Sequence, residues 1–356
     1  MTMTTGVSEA LVERIERVVR SGVAEQIYPG TVWAVGDVHG VQVTGACGHR
    51  DASGAGRAMT DDVVFDLASL TKIVATWGAV GCLVEDGRLG LDDTLDAHWP
   101  DLRDRPLGRV SVRHLLTHTA GLPLRANLRP LYGPRREAIE HGVLHDALRR
   151  APGEAVEYTD RAALILGFLV ERLTGTLLGH YCRDRLWEPL GMHDTRFGPL
   201  SAEQRARCAP TEYDAEHGSH LQGYVHDFSA RALGSSCGAA GVFSTAADLG
   251  RFLRYVLAPT AVPDGSPGFG QNWVRESLRI HTGRLRPDWG LLWFPPFNTT
   301  PEHGLWVHYG FTGTGMWLRP TDGLWAVLLT NKVYFSRDRE PIMRIRDAFQ
   351  ALVFGR

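Results

Sequence analysis

Apolar positions recur at helical spacing from the start of the chain. In SEALVERIERVVRSG (8–22), Leu11, Val12, Ile15, Val18 and Val19 share one face, with Glu and Arg between them. This period predicts an amphipathic helix, since a signal peptide needs an unbroken apolar run. TVWAVGDVHGVQVTGACG (31–48) has β-rich runs on either side of residues 37–40 and predicts a hairpin. Helical patterning returns over 69–86, where Asp86-Gly87 is the stop signal, and briefly over SVRHLLTHTAGLP (111–123). It continues in RAALILGFLVERLTG (161–175), stopped at Gly175, and in TAADLGRFLRYVLAP (245–259), with Thr245 as N-cap and Pro259 as its end. Beyond 285 the pattern predicts strands in WGLLWF (289–294), LWVHYGFTGTGMWL (305–318) and LWAVLLTNK (324–332). RPTDG (319–323) supplies the turn between the last two, and SRDREPIMRIRDAFQALV (336–353) predicts a closing helix.

Strands therefore sit at both ends of the chain and helices fill the middle. This order predicts an α+β fold of two lobes. Residues 1–65 and 281–356 build an antiparallel sheet flanked by the terminal helices. Residues 66–280 form an inserted all-helical lobe, and the cleft between the lobes is the default place for a site. APTAVPDGSPGFG (258–270) reads as a surface loop. The chain carries no internal repeat and no low-complexity tract.

A length of 356 residues fits one large domain or two lobes, and 44% hydrophobic with 22% charged residues is ordinary for a soluble protein. A formal net charge of −2 gives no pull toward nucleic acid or an anionic membrane. No run reaches the length of about 18 apolar residues that a membrane span needs. The five cysteines, Cys47, Cys82, Cys182, Cys208 and Cys237, are odd in number and lack any CxxC. They read as free thiols in a reducing cytoplasm, not as a disulfide frame or a zinc site.

Of 38 Lys plus Arg, only Lys72 and Lys332 are lysine. Lys72 lies three residues after Ser69 in FDLASLTKIVAT (65–76), so a helix places both on one face. A serine hydroxyl becomes nucleophilic when a base takes its proton. A lysine can act as that base if burial or a neighbour leaves it neutral, whereas arginine stays charged. Ser69 at a helix N-terminus also points free N–H groups and the positive end of the dipole at developing negative charge. The alternative is an N-cap serine beside a solvated lysine. A chance SxxK is expected at only about 0.08 for this composition, and apolar Phe65, Leu67, Leu70, Ile73 and Val74 surround the pair.

FDLASLTK, HLLTHTAGLP, VHD (225–227), GVFSTAADLGRF and HYGFTG (308–313) follow one another in an order and spacing that resembles the serine β-lactamase-like family. That family takes in class C β-lactamases, DD-peptidases, family VIII esterases and lovastatin-type acyltransferases. The resemblance covers about residues 25–350 and implies the same two-lobed fold. It also implies that Tyr158, in VEYTDRAALILG, is the general base or proton relay working with Lys72. Asp160 stands where the family usually has asparagine, and two readings are open for it. It either meets Lys72 and a cationic or hydroxyl group of the substrate, or it N-caps the helix starting at Arg161. His308-Tyr309-Gly310 takes the place of the family's third motif and would bind substrate. Gly310 would let the substrate lie close to the strand, and the N–H groups of Ser69 and Phe311 would form the oxyanion hole. With His308 in place of lysine, the fixed charge that anchors a β-lactam carboxylate is missing.

The implied enzyme is a serine hydrolase acting on a small ester or amide through an acyl-enzyme on Ser69, with no metal or organic cofactor. Acyl transfer to an amine or alcohol, and a non-catalytic binding module on the same fold, are the other readings. Gly234-Ser235-Ser236-Cys237-Gly238 matches G-x-S-x-G but lacks a preceding strand and a following helix. His114 and His118, four apart, read as core or capping histidines on one helix rather than a metal pair. Lys332 is either at the cleft edge or on the surface. Most of the tryptophans on the C-terminal strands should be core, with one or two free to line an acyl pocket.

Overall fold

A computed structural model describes residues 7–53, 56–124, 127–234, 236–259 and 268–355. The helix Glu9–Ala24 begins where the pattern places it, with the Ser8 side chain accepting the Leu11 N–H and Ile15 and Val19 buried. The hairpin is formed by strands Gly30–Asp37 and Gly40–Gly48. The predicted 305–318 strand is two strands, Trp306–Tyr309 and Gly315–Arg319, with a tight turn between them. Leu324–Thr330 follows, and the closing helix is Glu340–Phe354.

These strands make one five-stranded antiparallel sheet in the order 40–48, 30–37, 324–330, 315–319, 306–309. The first strand of the chain pairs with the last, Thr31 opposite Thr330. Side chains alternate across this sheet as strand geometry requires. Trp33, Val35, Ala326 and Leu328 face a core closed by the two terminal helices. Val32, Ala34, Val327 and Leu329 face a second, larger core continuous with the helical body. The helix Ala246–Leu257, capped by Thr245 as expected, packs against that second face, so this part of the 66–280 segment is tied directly to the sheet. A small second sheet places Val242–Ser244 between Phe65–Asp66 and Arg196–Phe197. All five cysteines are free and buried.

Two expectations are corrected. WGLLWF is not a strand. Leu292 has φ of 62°, its N–H donates to Leu116 O at 2.7 Å, and only Phe294 makes an isolated bridge, to Val307. Its apolar run reflects burial from all sides, which strand and irregular core segments share. The helix in SVRHLLTHTAGLP spans Val112–Leu116 alone, so His114 and His118 do not share a helix face. His114 belongs to a capping box with Ser111, while His118 has φ of 55° beyond the helix end. The predicted loop 258–270 lies largely outside the described residues.

Candidate active site

Ser69 is presented by a strained turn. Ala68 has φ of 47°, a left-handed conformation uncommon for a residue with a Cβ. The buried Asp66 accepts the Ala68 N–H at 2.8 Å and so holds that turn. A 3₁₀ turn, Ala68–Leu70, leads into a π-helical stretch, Lys72–Trp77, and then the α-helix Gly78–Glu85. The regular helix expected over 69–86 is thus widened where it carries Lys72, a deviation that recurs at functional sites.

The turn is fastened from the far end of the sequence. Thr314 donates its hydroxyl to Leu67 O at 3.0 Å, and Thr312 donates to Asp66 O at 2.8 Å. Buried Arg346 donates to Gly310 O and Thr314 O at 2.8 and 2.7 Å. A Cβ on Gly310 would sit 2.4 Å from Leu67 O and 2.0 Å from the Thr314 hydroxyl. The glycine is therefore required for packing the Trp306–Tyr309 strand end against the Ser69 turn, before any substrate is considered. Replacing Thr314 with valine keeps the shape and removes one hydrogen bond. The expected cost is about 1 kcal/mol, measured by urea unfolding.

Lys72 is the centre of the site. Its ammonium is fully buried and donates to Ser69 Oγ at 3.0 Å, Asp160 Oδ1 at 2.7 Å and Ala239 O at 3.0 Å. It also lies 5.1 Å from the centre of the Tyr158 ring. Tyr158 is 41% exposed, and the Lys72 ammonium beside it favours its ionised phenol. Ser69, Lys72, Tyr158 and Asp160 are thus brought together. The two readings of Asp160 separate cleanly. Thr159, not Asp160, caps the helix Asp160–Thr174, and Asp160 is paired with Lys72.

Electrostatics corrects the expectation of a neutral lysine. Burial pulls the Lys72 proton off, but Asp160 and then Tyr158 outweigh it and hold the ammonium above its usual range. Burial is also the largest influence on Tyr158, raising its phenol, with Lys72 acting in the opposite direction and Asp160 adding to the rise. Both groups therefore keep their protons at neutral pH.

His308 is buried, its Nδ1 3.1 Å from Tyr309 O, and burial keeps it well below the ordinary histidine value. It is a neutral imidazole facing Tyr158, with ring centres 6.4 Å apart. Tyr309 is a correction. Adjacent strand residues point to opposite faces, and its ring packs on Trp317 and under the Arg346 guanidinium, in the core below the terminal helices. It supports the strand and does not line the cleft. Lys332 is buried rather than on the surface. It donates to Ser336 O and Asp338 O, and burial lowers it to about 8.

Sequence reasoning missed the roles of two residues around the site, His118 beside Tyr158 and Asp227 near the Lys72–Asp160 pair. His118 stacks at a tilt on the Tyr158 ring, 4.7 Å away, and meets the edge of Trp289 at 5.2 Å. Burial drives His118 down to about 3, so it serves as an uncharged wall. Its place in HLLTHTAGLP (114–123) was the available signal. Asp227 caps the helix Phe228–Leu233 and faces the Lys72–Asp160 pair, where burial and then Asp160 raise its carboxyl. Ser236 is buried and accepts the Gly179 N–H at 3.1 Å. It lines a separate cavity of about 380 Å³ that contains none of the Ser69 group. No helix follows it, and the strand Val242–Ser244 comes next.

The sequence model for the family described as Beta-lactamase matches residues 15–350. A putative D-alanyl-D-alanine carboxypeptidase of Escherichia coli K12 is 29% identical over 308 residues, covering 77% of this chain and 70% of that protein. An N-acetylmuramyl-L-alanine amidase of Bacillus subtilis is 28% identical over 319 residues, covering 77% and 69%. Among solved structures, a mutant simvastatin synthase from Aspergillus terreus superposes with a TM-score of 0.74 at 24% identity, over 99% of this chain and 98% of that one. The D-alanine carboxypeptidase AmpC from Burkholderia cenocepacia gives 0.73 at 19% identity, over 96% and 99%. With a match running through nearly its whole length and a fold shared at that level, the chain belongs to the beta-lactamase family.

Proposed function

We propose that this chain is a serine enzyme that opens a small ester or amide through an acyl-enzyme on Ser69 and passes the acyl group to water. The observation that carries the reading is one buried ammonium, Lys72, donating to Ser69 and Asp160 and lying 5.1 Å from the centre of the Tyr158 ring. In the first half-reaction the Ser69 oxygen attacks the carbonyl carbon. Its proton passes to the Tyr158–Lys72 pair and then to the leaving alcohol or amine. In the second, water attacks the acyl carbon, gives its proton to the same pair, and Ser69 is restored. The N–H groups of Ser69 and Phe311 hold the oxyanion. The strand Trp306–Tyr309, which ends two residues before Phe311, lies against the Ser69 turn, which supports that pairing. The names of the two curated relatives, a carboxypeptidase and an amidase, support including amides among the substrates. Neutral His308 offers no fixed cation to a β-lactam carboxylate, which supports an esterase or amidase over a β-lactamase.

Because Lys72 and Tyr158 are both raised, the pair must lose one of its protons before it can accept that of Ser69. The kcat/KM of a neutral ester is expected to climb with pH on the alkaline side, with its ascending limb above about pH 8. A profile already flat by pH 6 would mean that a different group is the base. Repeating the assay with excess amine reads transfer directly, as an amide product formed in competition with the free acid.

A further inference from the structure

We infer that Arg346, buried behind the strand Trp306–Tyr309, strengthens the oxyanion hole by polarising the peptide group between Gly310 and Phe311. The inference deepens the acyl-enzyme reading above and rests on it.

Arg346 stands on the closing helix Glu340–Phe354 and is 5% exposed. Among the described residues its hydrogen bonds go to Gly310 O at 2.8 Å, Thr314 O at 2.7 Å and the Met343 sulfur, none of them to a carboxylate, and its Nε has no partner. Burial lowers it, but only to about 10, so it is charged at neutral pH. The Tyr309 ring, 4.5 Å from the guanidinium, favours that charge. A buried cation without a counter-ion is costly. Fastening two carbonyls does not require one, because a neutral amide side chain also carries two donors.

The charge has its use one atom further on. The Gly310 carbonyl and the Phe311 N–H belong to one planar, resonance-coupled peptide group. A cation at the oxygen draws electron density toward it and leaves the N–H a stronger donor. Gly313 N–H donates to the same oxygen at 3.1 Å and pulls in the same direction. Hydrogen bonds in series reinforce one another, most of all where water is excluded. Arg346 does not meet the substrate itself. The Tyr309 ring on which it lies faces the core below the terminal helices, on the side of the strand opposite His308. It is therefore a positioning residue, acting through the peptide on negative charge that forms only once Ser69 has attacked.

The test compares the parent with Arg346→Met, which is similar in length and uncharged, and Arg346→Lys, which keeps the charge. With p-nitrophenyl acetate, Arg346→Met is expected to lower kcat about tenfold to a hundredfold, less than the loss of a whole oxyanion donor, with KM little changed. Arg346→Lys should recover most of that loss. The charge itself is read in a covalent adduct. A trifluoromethyl ketone carrying ¹³C at its carbonyl forms a hemiketal with Ser69, and the carbon shift followed against pH gives the point at which the hemiketal oxygen ionises. Arg346→Met should move that point up by about one to two pH units, and Arg346→Lys by much less. A turn that is merely looser changes how much adduct forms and does not follow the charge. Should Arg346→Met fail to fold by circular dichroism, Arg346→Gln, which keeps a donor and loses the charge, carries the same expectation. Equal ionisation in the parent and the neutral variant, or a lysine variant no better than the neutral one, overturns the inference and leaves the acyl-enzyme reading standing. A parent that forms no adduct on Ser69 and turns over no ester removes that reading, and this inference with it.

Discussion

Ser69→Ala is expected to abolish both turnover and covalent labelling by a fluorophosphonate, while Ser236→Ala leaves labelling intact. The contrast rests on geometry. Ser69 Oγ is 3.0 Å from a buried ammonium and shares it with Asp160, beside the Tyr158 ring. The Ser236 hydroxyl is spent on the Gly179 N–H, and its surroundings supply neither the following helix nor the exposed elbow that its motif requires. Removing the attacking atom of an acyl-enzyme mechanism lowers turnover by roughly 10⁴-fold or more. The check is intact-mass measurement of each variant after exposure to the reagent. An adduct retained in Ser69→Ala and lost in Ser236→Ala would move the nucleophile to the second serine.

Asp160→Asn has the next largest expected effect, and it works in opposite directions on activity and stability. Asp160 is the largest of the influences that raise Lys72, set against a burial influence that is larger than any of them and lowers it. With a neutral amide in its place, the lysine should fall toward or below its ordinary value. In the proposed mechanism activity needs the deprotonated pair, so it rises as pH climbs through the controlling value. Lowering that value moves the ascending limb to lower pH, and kcat/KM for a neutral ester at pH 7 should increase. Stability moves the other way. In the parent the folded value lies above the unfolded one, so the Lys72 contribution is complete below about pH 10 and fades only as pH rises through the folded value. Where the variant's folded value drops below the unfolded one, folding must strip a proton that the unfolded chain keeps. The loss of stability is therefore greatest at low pH and shrinks as pH approaches about 10. Breaking a buried ion pair by removing one partner costs about 3–5 kcal/mol at its worst. The measurements are paired pH profiles of kcat/KM and of the urea midpoint. Superimposable profiles in both would show that Asp160 exerts no hold on Lys72.

The residues that define the site were legible because their chemistry is rare in this chain. A sequence with only two lysines that spends one at Ser69+3 advertises it. The terminal strands and helices were legible because each has one buried face and a regular period. Three things were not. WGLLWF reads as a strand because apolarity reports burial, and only the positive φ at Leu292 shows that the backbone cannot continue as one. Tyr309 was assigned to the cleft with its neighbours, although the two-residue period of a strand already sends it to the opposite face from His308. The protonation of Lys72 depends on whether Asp160 contacts it, 88 positions away in sequence. No local pattern decides between a helix cap and an ion pair, and here Thr159 takes the cap and frees the carboxylate for the lysine.

The pairing of the first strand with the last has a consequence for how the molecule comes into being. Thr31 donates to Leu329 O across 298 positions, and the Ser69 turn is tied to Thr312 and Thr314, with a separation of 247 for the Leu67 contact. A chain emerging from the ribosome can fold much of its helical body early, but neither the central strand pair nor the clamp on Ser69 exists until residues beyond 310 have left the exit tunnel. Such long-range closure is slow. It also means that a partly synthesised chain carries Ser69 and Lys72 without the turn that positions them, so the reactivity proposed for them arrives last, together with the finished sheet.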